Sequence, residues 1–136
     1  MADCIFCKIA EGVIPCVKII ENDDVIAFLD INPLNTGHTL VLPKKHYVTL
    51  FDLPEPVLQA CMAVVHKIAE AVFKASGKTG LNLLQNNYRS AGQYIDHVHF
   101  HLVPRHVGDG FMTTWPAKSC PPAELEELLA KVKGAL

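Results

Sequence analysis

The sequence has no apolar run of membrane length. Its longest uncharged apolar stretches, such as Ala60–Val65 and Leu40–Pro43, fall far short of the ~20 residues a bilayer requires. It has no excess of positive charge either: twelve Lys and Arg stand against fourteen Asp and Glu, a net charge of −2. No overall field therefore draws the chain to nucleic acid or anionic lipid, and an anionic ligand must be held by local donors. The start, Met1-Ala2-Asp3-Cys4, lacks the basic and apolar regions of a secretion signal, so an intracellular, cytoplasmic protein is expected. No Gly/Ser- or Pro-rich stretch, repeat or low-complexity segment divides the 136 residues, so residues 1–136 read as one domain. Half the residues are apolar and 19% are charged, a composition that suits a packed core and excludes disorder.

What the chain has in plenty is histidine and cysteine. Four of its seven His (His97, His99, His101 and His106) fall within one ten-residue span. Five Cys without a signal sequence point to free thiols or metal ligands rather than a disulfide framework.

Asp3 is placed to cap a short first helix through about Ala10, with Ile5, Phe6 and Ile9 on one side and Gly12 ending it. Val17–Glu21 and Val25–Leu29 read as strands joined by the turn Asn22-Asp23-Asp24, and His38–Leu42 as a third strand closed by Pro43. After Pro54 and Pro56, Leu58, Cys61, Met62, Val65, Ile68, Ala69 and Val72 recur at helical spacing to about Ser76. Gly80–Gln85 and His97–Val103 complete five strands, separated by the polar loop Asn86–Gly92. A last helix after Pro121-Pro122 carries Leu125, Leu128, Leu129 and Val132 at i, i+3, i+4 and i+7. Strands joined mostly by short turns, with helices outside the strand runs, predict an α+β fold with an antiparallel sheet.

His97-Val98-His99-Phe100-His101-Leu102-Val103 alternates strictly, so a strand would place the three imidazoles on one face and the apolar residues in the core. Successive imidazoles would stand about 6.6 Å apart and the outer two about 13 Å, whereas a zinc–nitrogen bond is only about 2 Å. One metal ion cannot take all three from a regular strand, so at least one has another task. A site using two of them, or hydrogen-bonded surface histidines, stay open on spacing alone. Cys4-x-x-Cys7 likewise fits zinc, redox chemistry or two buried thiols, although no strand precedes it as a thioredoxin-type motif requires.

The histidine segment resembles the signature of the histidine triad (HIT) family of nucleotidyl hydrolases and transferases, most nearly its bacterial Hint-like branch. Asp3–Ile9, Phe28–Pro33, Gly37–Lys44 and Gly92-Gln93 are similar to the family in order and spacing, and the likeness covers about residues 3–105. It implies a HIT-like fold, a five-stranded antiparallel sheet with one long helix and short terminal helices, followed by a C-terminal helical extension over 108–136. It implies cleavage at the α-phosphate of a purine nucleoside phosphoramidate or dinucleoside polyphosphate in two steps through a nucleotidyl-histidine, releasing the nucleoside monophosphate. In that scheme His99 is the nucleophile, His101 contacts the phosphate and assists the leaving group, and His97 and His38 support them. Asp30 binds the ribose hydroxyls, while Asn86, Gly92 and Gln93 face the phosphate. Ile5, Phe6, Ile9, Phe28, Leu29 and Ile31 form an apolar slot for the base. The resemblance also implies a structural zinc ion on Cys4, Cys7, His46 and His97, not needed for the chemistry, and a homodimer with sheets joined across subunits. Neither nucleic acid nor membrane is an expected partner. Tyr94 stands where some relatives carry a small hydroxyl residue near the leaving group, and Trp115 is a further candidate contact there. The rival expectation is a nucleotide-binding regulatory module, or a zinc-stabilised interaction module, with negligible turnover. Cys16, Cys61, Cys120 and His66 fit no pattern and read as packing or surface residues.

Overall fold

Strands buried on both faces should be apolar at nearly every position, and Val25–Leu29 and Thr39–Pro43 are. They lie in the middle of the sheet. In a computed structural model, which describes residues 3–111 and 114–136, the chain runs α1 (Ile5–Ala10), β1 (Val17–Glu21), β2 (Val25–Leu29), β3 (Thr39–Pro43), α2 (Glu55–Ser76), β4 (Gly80–Gln85), β5 (Phe100–Arg105) and α3 (Pro122–Ala135). The five strands form one sheet in the order β1-β2-β3-β5-β4, every neighbouring pair antiparallel.

Side-chain alternation sorts the sheet into two faces. Val25, Ala27, Val41, Phe100 and Leu102 meet Cys61, Val64, Val65, Ile68 and Val72 of α2. Ile26, Phe28, Leu40 and Leu42 point the other way, onto Phe6 and Ile9 of α1. Contrary to the expectation from the short uncharged runs, α2 is, among the described residues, one helix long and apolar enough to cross a membrane; here its apolar face is packed on the sheet. Gly77 ends it in the left-handed conformation (φ 67°), its N–H donating to the Lys74 carbonyl.

Three boundaries differ from expectation. The first helix is capped by Cys4 rather than Asp3, its Sγ accepting from the Cys7 N–H at 3.3 Å. The third strand begins at Thr39, because His38 closes the preceding loop through its carbonyl, which accepts from the Asp30 N–H at 2.9 Å. The fifth covers Phe100–Arg105, not His97–Val103. Upstream of it, the Val98 N–H donates to the Tyr47 carbonyl at 2.7 Å instead of to a sheet partner, and His97 sits in a bend. At the far end β3 pairs with β5 only through Leu102, so Pro104, which has no N–H, leaves no gap on that side. In α3 no residue is buried, and the Leu125, Leu128, Leu129 and Val132 stripe is exposed.

Candidate functional site

The bend at His97 gives the three histidines different surroundings. Phe100 and Leu102 fill the α2 side, so His99 and His101 face the α1 side, where they line a cavity of about 430 Å³. Ile5, Phe6, Ile9, Phe28, Leu29 and Ile31 form its apolar walls, and Asp30, Asn86, Gly92 and Tyr94 add polar groups. Of the residues expected in this site, Gln93 does not line it. Its amide is buried, Nε2 donating to the carbonyls of Val48 (2.6 Å) and Ile95 (3.1 Å) while Oε1 accepts from the Tyr88 N–H (2.7 Å). The backbone N–H groups of Gly92 and Gln93 donate to the carbonyls of Arg89 and Tyr88, so neither is a free donor for a phosphate. Trp115 and His106 border a separate cavity of about 390 Å³ beside β4, away from His99. Cys16, with Ile14 and Pro15, was missed: it follows the first helix on an irregular turn, and no periodicity marks it as a wall of this cavity.

Each imidazole has its tautomer assigned by its hydrogen-bond partner. His99 Nδ1 lies 2.7 Å from the His97 carbonyl, which can only accept, so Nδ1 carries the proton and Nε2 keeps a lone pair. His38 Nδ1 accepts from the Leu34 N–H at 3.0 Å, which puts the His38 proton on Nε2. That proton is donated to His101 Nδ1 at 2.9 Å, leaving His101 protonated on Nε2. Burial lowers the proton affinity of all three rings, and His101 is brought down to about 4, with His99 and His38 beside it contributing. For His38 and His99, the Asp30 carboxylate partly opposes the effect. Neutral rings with these tautomers offer one nucleophilic nitrogen and one N–H donor on the same cavity wall. Phe6 meets the His99 ring edge-on at 5.0 Å between centroids and Phe28 at 5.9 Å, joining the apolar wall to the triad.

His97 faces away from this cavity. Its Nε2–H donates to the Pro43 carbonyl at 2.8 Å, and Nδ1 lies 3.3 Å from Cys4 Sγ and 3.5 Å from Cys7 Sγ. His46 Nδ1 is 3.3 Å from Cys7 Sγ, and the four ligand atoms all lie within 4.8 Å of one another. These separations suit a tetrahedral ion with bonds of about 2.0–2.3 Å, and the Pro43 carbonyl fixes the tautomer that a His97 ligand needs. Cys4, Cys7, His46 and His97 could therefore hold a metal ion. Burial and the neighbouring Cys4 raise the Cys7 thiol, and a cation beside it would favour the thiolate.

A family model of the HIT domain matches residues 11–108, which takes in the apolar strands, the His38 loop and the triad. The chain belongs to the HIT family. Among HIT-family relatives, a Schizosaccharomyces pombe protein named an adenosine 5′-monophosphoramidase is 41% identical over 135 residues, covering 96% of this chain and 98% of its own. An Arabidopsis thaliana protein named an adenylylsulfatase is 47% identical over 107 residues, covering 79% of this chain and 54% of its own. The crystal structure of a HIT-family member from Bacillus subtilis superposes with a TM-score of 0.92 at 37% identity, over 98% of this chain and 97% of that one.

Proposed function

We propose that the protein is a nucleotidyl hydrolase that cleaves purine nucleoside phosphoramidates or dinucleoside polyphosphates at the α-phosphate through a covalent intermediate on His99. The observation that carries this reading is the His99–His97 hydrogen bond, which leaves Nε2 unprotonated on the wall of a cavity with an apolar slot and a carboxylate. His99 Nε2 attacks the α-phosphorus as the bond to the leaving group breaks. The leaving group takes up a proton by way of His101 Nε2–H, and that ring is reprotonated from solvent. Water then attacks the phosphorus, the bond to His99 breaks, and the nucleoside monophosphate departs. Asp30 accepts from the ribose hydroxyls, Asn86 donates to the phosphate, and Phe6 and Phe28 line the apolar slot that takes the base. The activities for which these relatives are named, adenosine 5′-monophosphoramidase and adenylylsulfatase, support the same bond class.

The Cys4, Cys7, His46 and His97 cluster is assigned to structural zinc, which ties α1 to the His97 bend and supplies no chemistry to the substrate. Residues 1–136 act as one HIT domain with a C-terminal extension, as a homodimer, without nucleic-acid or membrane partners. None of the five cysteines is joined in a disulfide, which suits the reducing cytoplasm.

The test is hydrolysis of adenosine 5′-phosphoramidate and of a diadenosine polyphosphate by one preparation, with adenosine monophosphate release followed by chromatography. His99→Ala should abolish release while monophosphate binding persists, and rapid quench of the parent should yield a protein heavier by one nucleotidyl group. Full activity in His99→Ala would overturn the mechanism, and no turnover of either substrate by the parent would favour a binding module.

A further inference from the structure

The loop between β2 and β3 carries Asp30 and His38 into the site, yet Ile31–Leu34 and Thr36 are exposed. Within the loop, the His38 N–H donates to the Asn35 carbonyl at 3.1 Å and the Leu34 N–H donates to His38 Nδ1 at 3.0 Å. These bonds shape the loop but do not fasten it to the rest of the molecule. Among the described residues, the hydrogen bonds from 31–36 to the body of the protein are both made by Asn35 Nδ2. One goes to the Pro104 carbonyl at 2.9 Å and one to Asp109 Oδ2 at 2.8 Å. Gly37 completes the attachment by close approach: at φ +89° a Cβ there would lie 3.1 Å from Pro104 Cγ and 3.2 Å from Ser76 Cβ.

Asp109 is itself rigidly held. Arg105 of β5 clamps both its oxygens, Nε to Oδ2 at 2.6 Å and Nη2 to Oδ1 at 2.8 Å, and the His106 and Phe111 N–H groups donate at 3.3 and 3.2 Å. Arg105 is braced in turn by Asn82 Oδ1 at 2.6 Å and the Phe111 carbonyl at 3.1 Å. The carboxylate is almost fully buried (1% side-chain exposure), so a charged, saturated acceptor stands where the loop needs an anchor.

We propose that Asp109, which lies just beyond the matched 11–108 segment, is a positioning residue that acts through Asn35 on the 34–38 loop. It thereby fixes the His38 ring and, through the His38 Nε2–His101 Nδ1 hydrogen bond, the tautomer of His101. The catalytic consequence rests on the role given to His101 above, whereas the effect on the tautomer does not.

The test uses the full chain carrying Asn35→Ala, Asp109→Asn and both together. Nitrogen-15 NMR of the imidazoles in the substrate-free protein reads the tautomers, and steady-state kinetics with adenosine 5′-phosphoramidate read the reaction. Each single variant should move His101 from the Nε2–H form to a mixture and lower kcat about ten- to a hundredfold with KM held within about twofold. The double variant should be no worse than the more damaged single one, because both substitutions interrupt one path. Asn35 lies on an exposed loop, so its variant keeps the proposal testable if Asp109→Asn does not fold. A folded Asn35→Ala protein with the parental His101 tautomer overturns the proposal. A shifted tautomer with unchanged kcat upholds the positioning and overturns instead the part assigned to His101 in the reaction.

Discussion

His97 and His99 are joined by a 2.7 Å hydrogen bond in which a side chain donates to the main chain two residues earlier. The carbonyl that orients the His99 ring belongs to a residue whose own imidazole sits in the Cys/His cluster. Position 97 therefore transmits any rearrangement of that cluster to the nitrogen that would attack phosphorus.

Zinc analysis of the purified protein should find about one ion per chain, and none in Cys4→Ser/Cys7→Ser. That variant should also bind adenosine monophosphate more weakly, because α1 carries both Cys7 and the Phe6 and Ile9 walls of the base slot. A metal-free preparation with an intact fold and unchanged nucleotide affinity would contradict the assignment.

Burial holds the His99 ring below the ordinary imidazole value of 6.5, so its Nε2, the proposed nucleophile, stays unprotonated in mildly acidic solution. The acid limb of the kcat/KM profile should accordingly fall below pH 6.5. Stability should follow a related course through His101, whose value drops from 6.5 to about 4 on folding. Above pH 6.5 both states are neutral there and the group contributes nothing. As the pH falls from 6.5 toward 4, the unfolded chain takes up a proton that the folded one refuses, at a cost on the order of 3 kcal/mol. Urea denaturation at pH 7.5, 6, 5 and 4 measures it, and a flat profile over this range would exclude it.

Phe6 is buried and touches Phe28 and the His99 ring. Phe6→Ala should cost about 3–5 kcal/mol in denaturant unfolding and should weaken nucleoside binding in the folded fraction. Leu at this position restores volume but not the flat ring, so it should recover most of the stability and less of the affinity.

Asp30 lines the cavity with one oxygen accepting from the Asn32 N–H at 2.9 Å and the other 3.8 Å from His38 Nε2. Asp30→Asn should raise the nucleotide KM about tenfold or more by weakening a charged acceptor for the ribose. A substrate lacking the 2′ and 3′ hydroxyls should show little further loss in that variant. An equal loss in parent and variant would place the ribose elsewhere.

Much of this was legible in the sequence, for physical reasons that differ by element. Val17–Glu21, Val25–Leu29 and Gly80–Gln85 were bounded by turn residues and kept their expected limits. The long helix was bracketed by two prolines and a glycine, and its apolar face met the sheet as the spacing required. The fifth strand was misplaced because alternation alone cannot tell a paired strand from an extended segment whose N–H groups go to a loop, as that of Val98 does. The bend at His97 has the same origin, and it frees that ring to turn toward Cys4 and Cys7. Gln93 and Cys16 exchanged roles relative to expectation because both lie on irregular backbone, where no period says which way a side chain faces.

The contact between Cys4 and His97 spans 93 positions of chain. During synthesis the first helix leaves the ribosome with two thiols and a set of apolar side chains, long before the residues that complete either of its faces exist. A nascent chain halted ahead of the triad holds Cys4, Cys7 and His46 but lacks the fourth donor of the cluster, and its cavity lacks the wall made by His99 and His101. The Cys/His cluster and the cavity thus become complete together, and only once residues 97–101 have been read out.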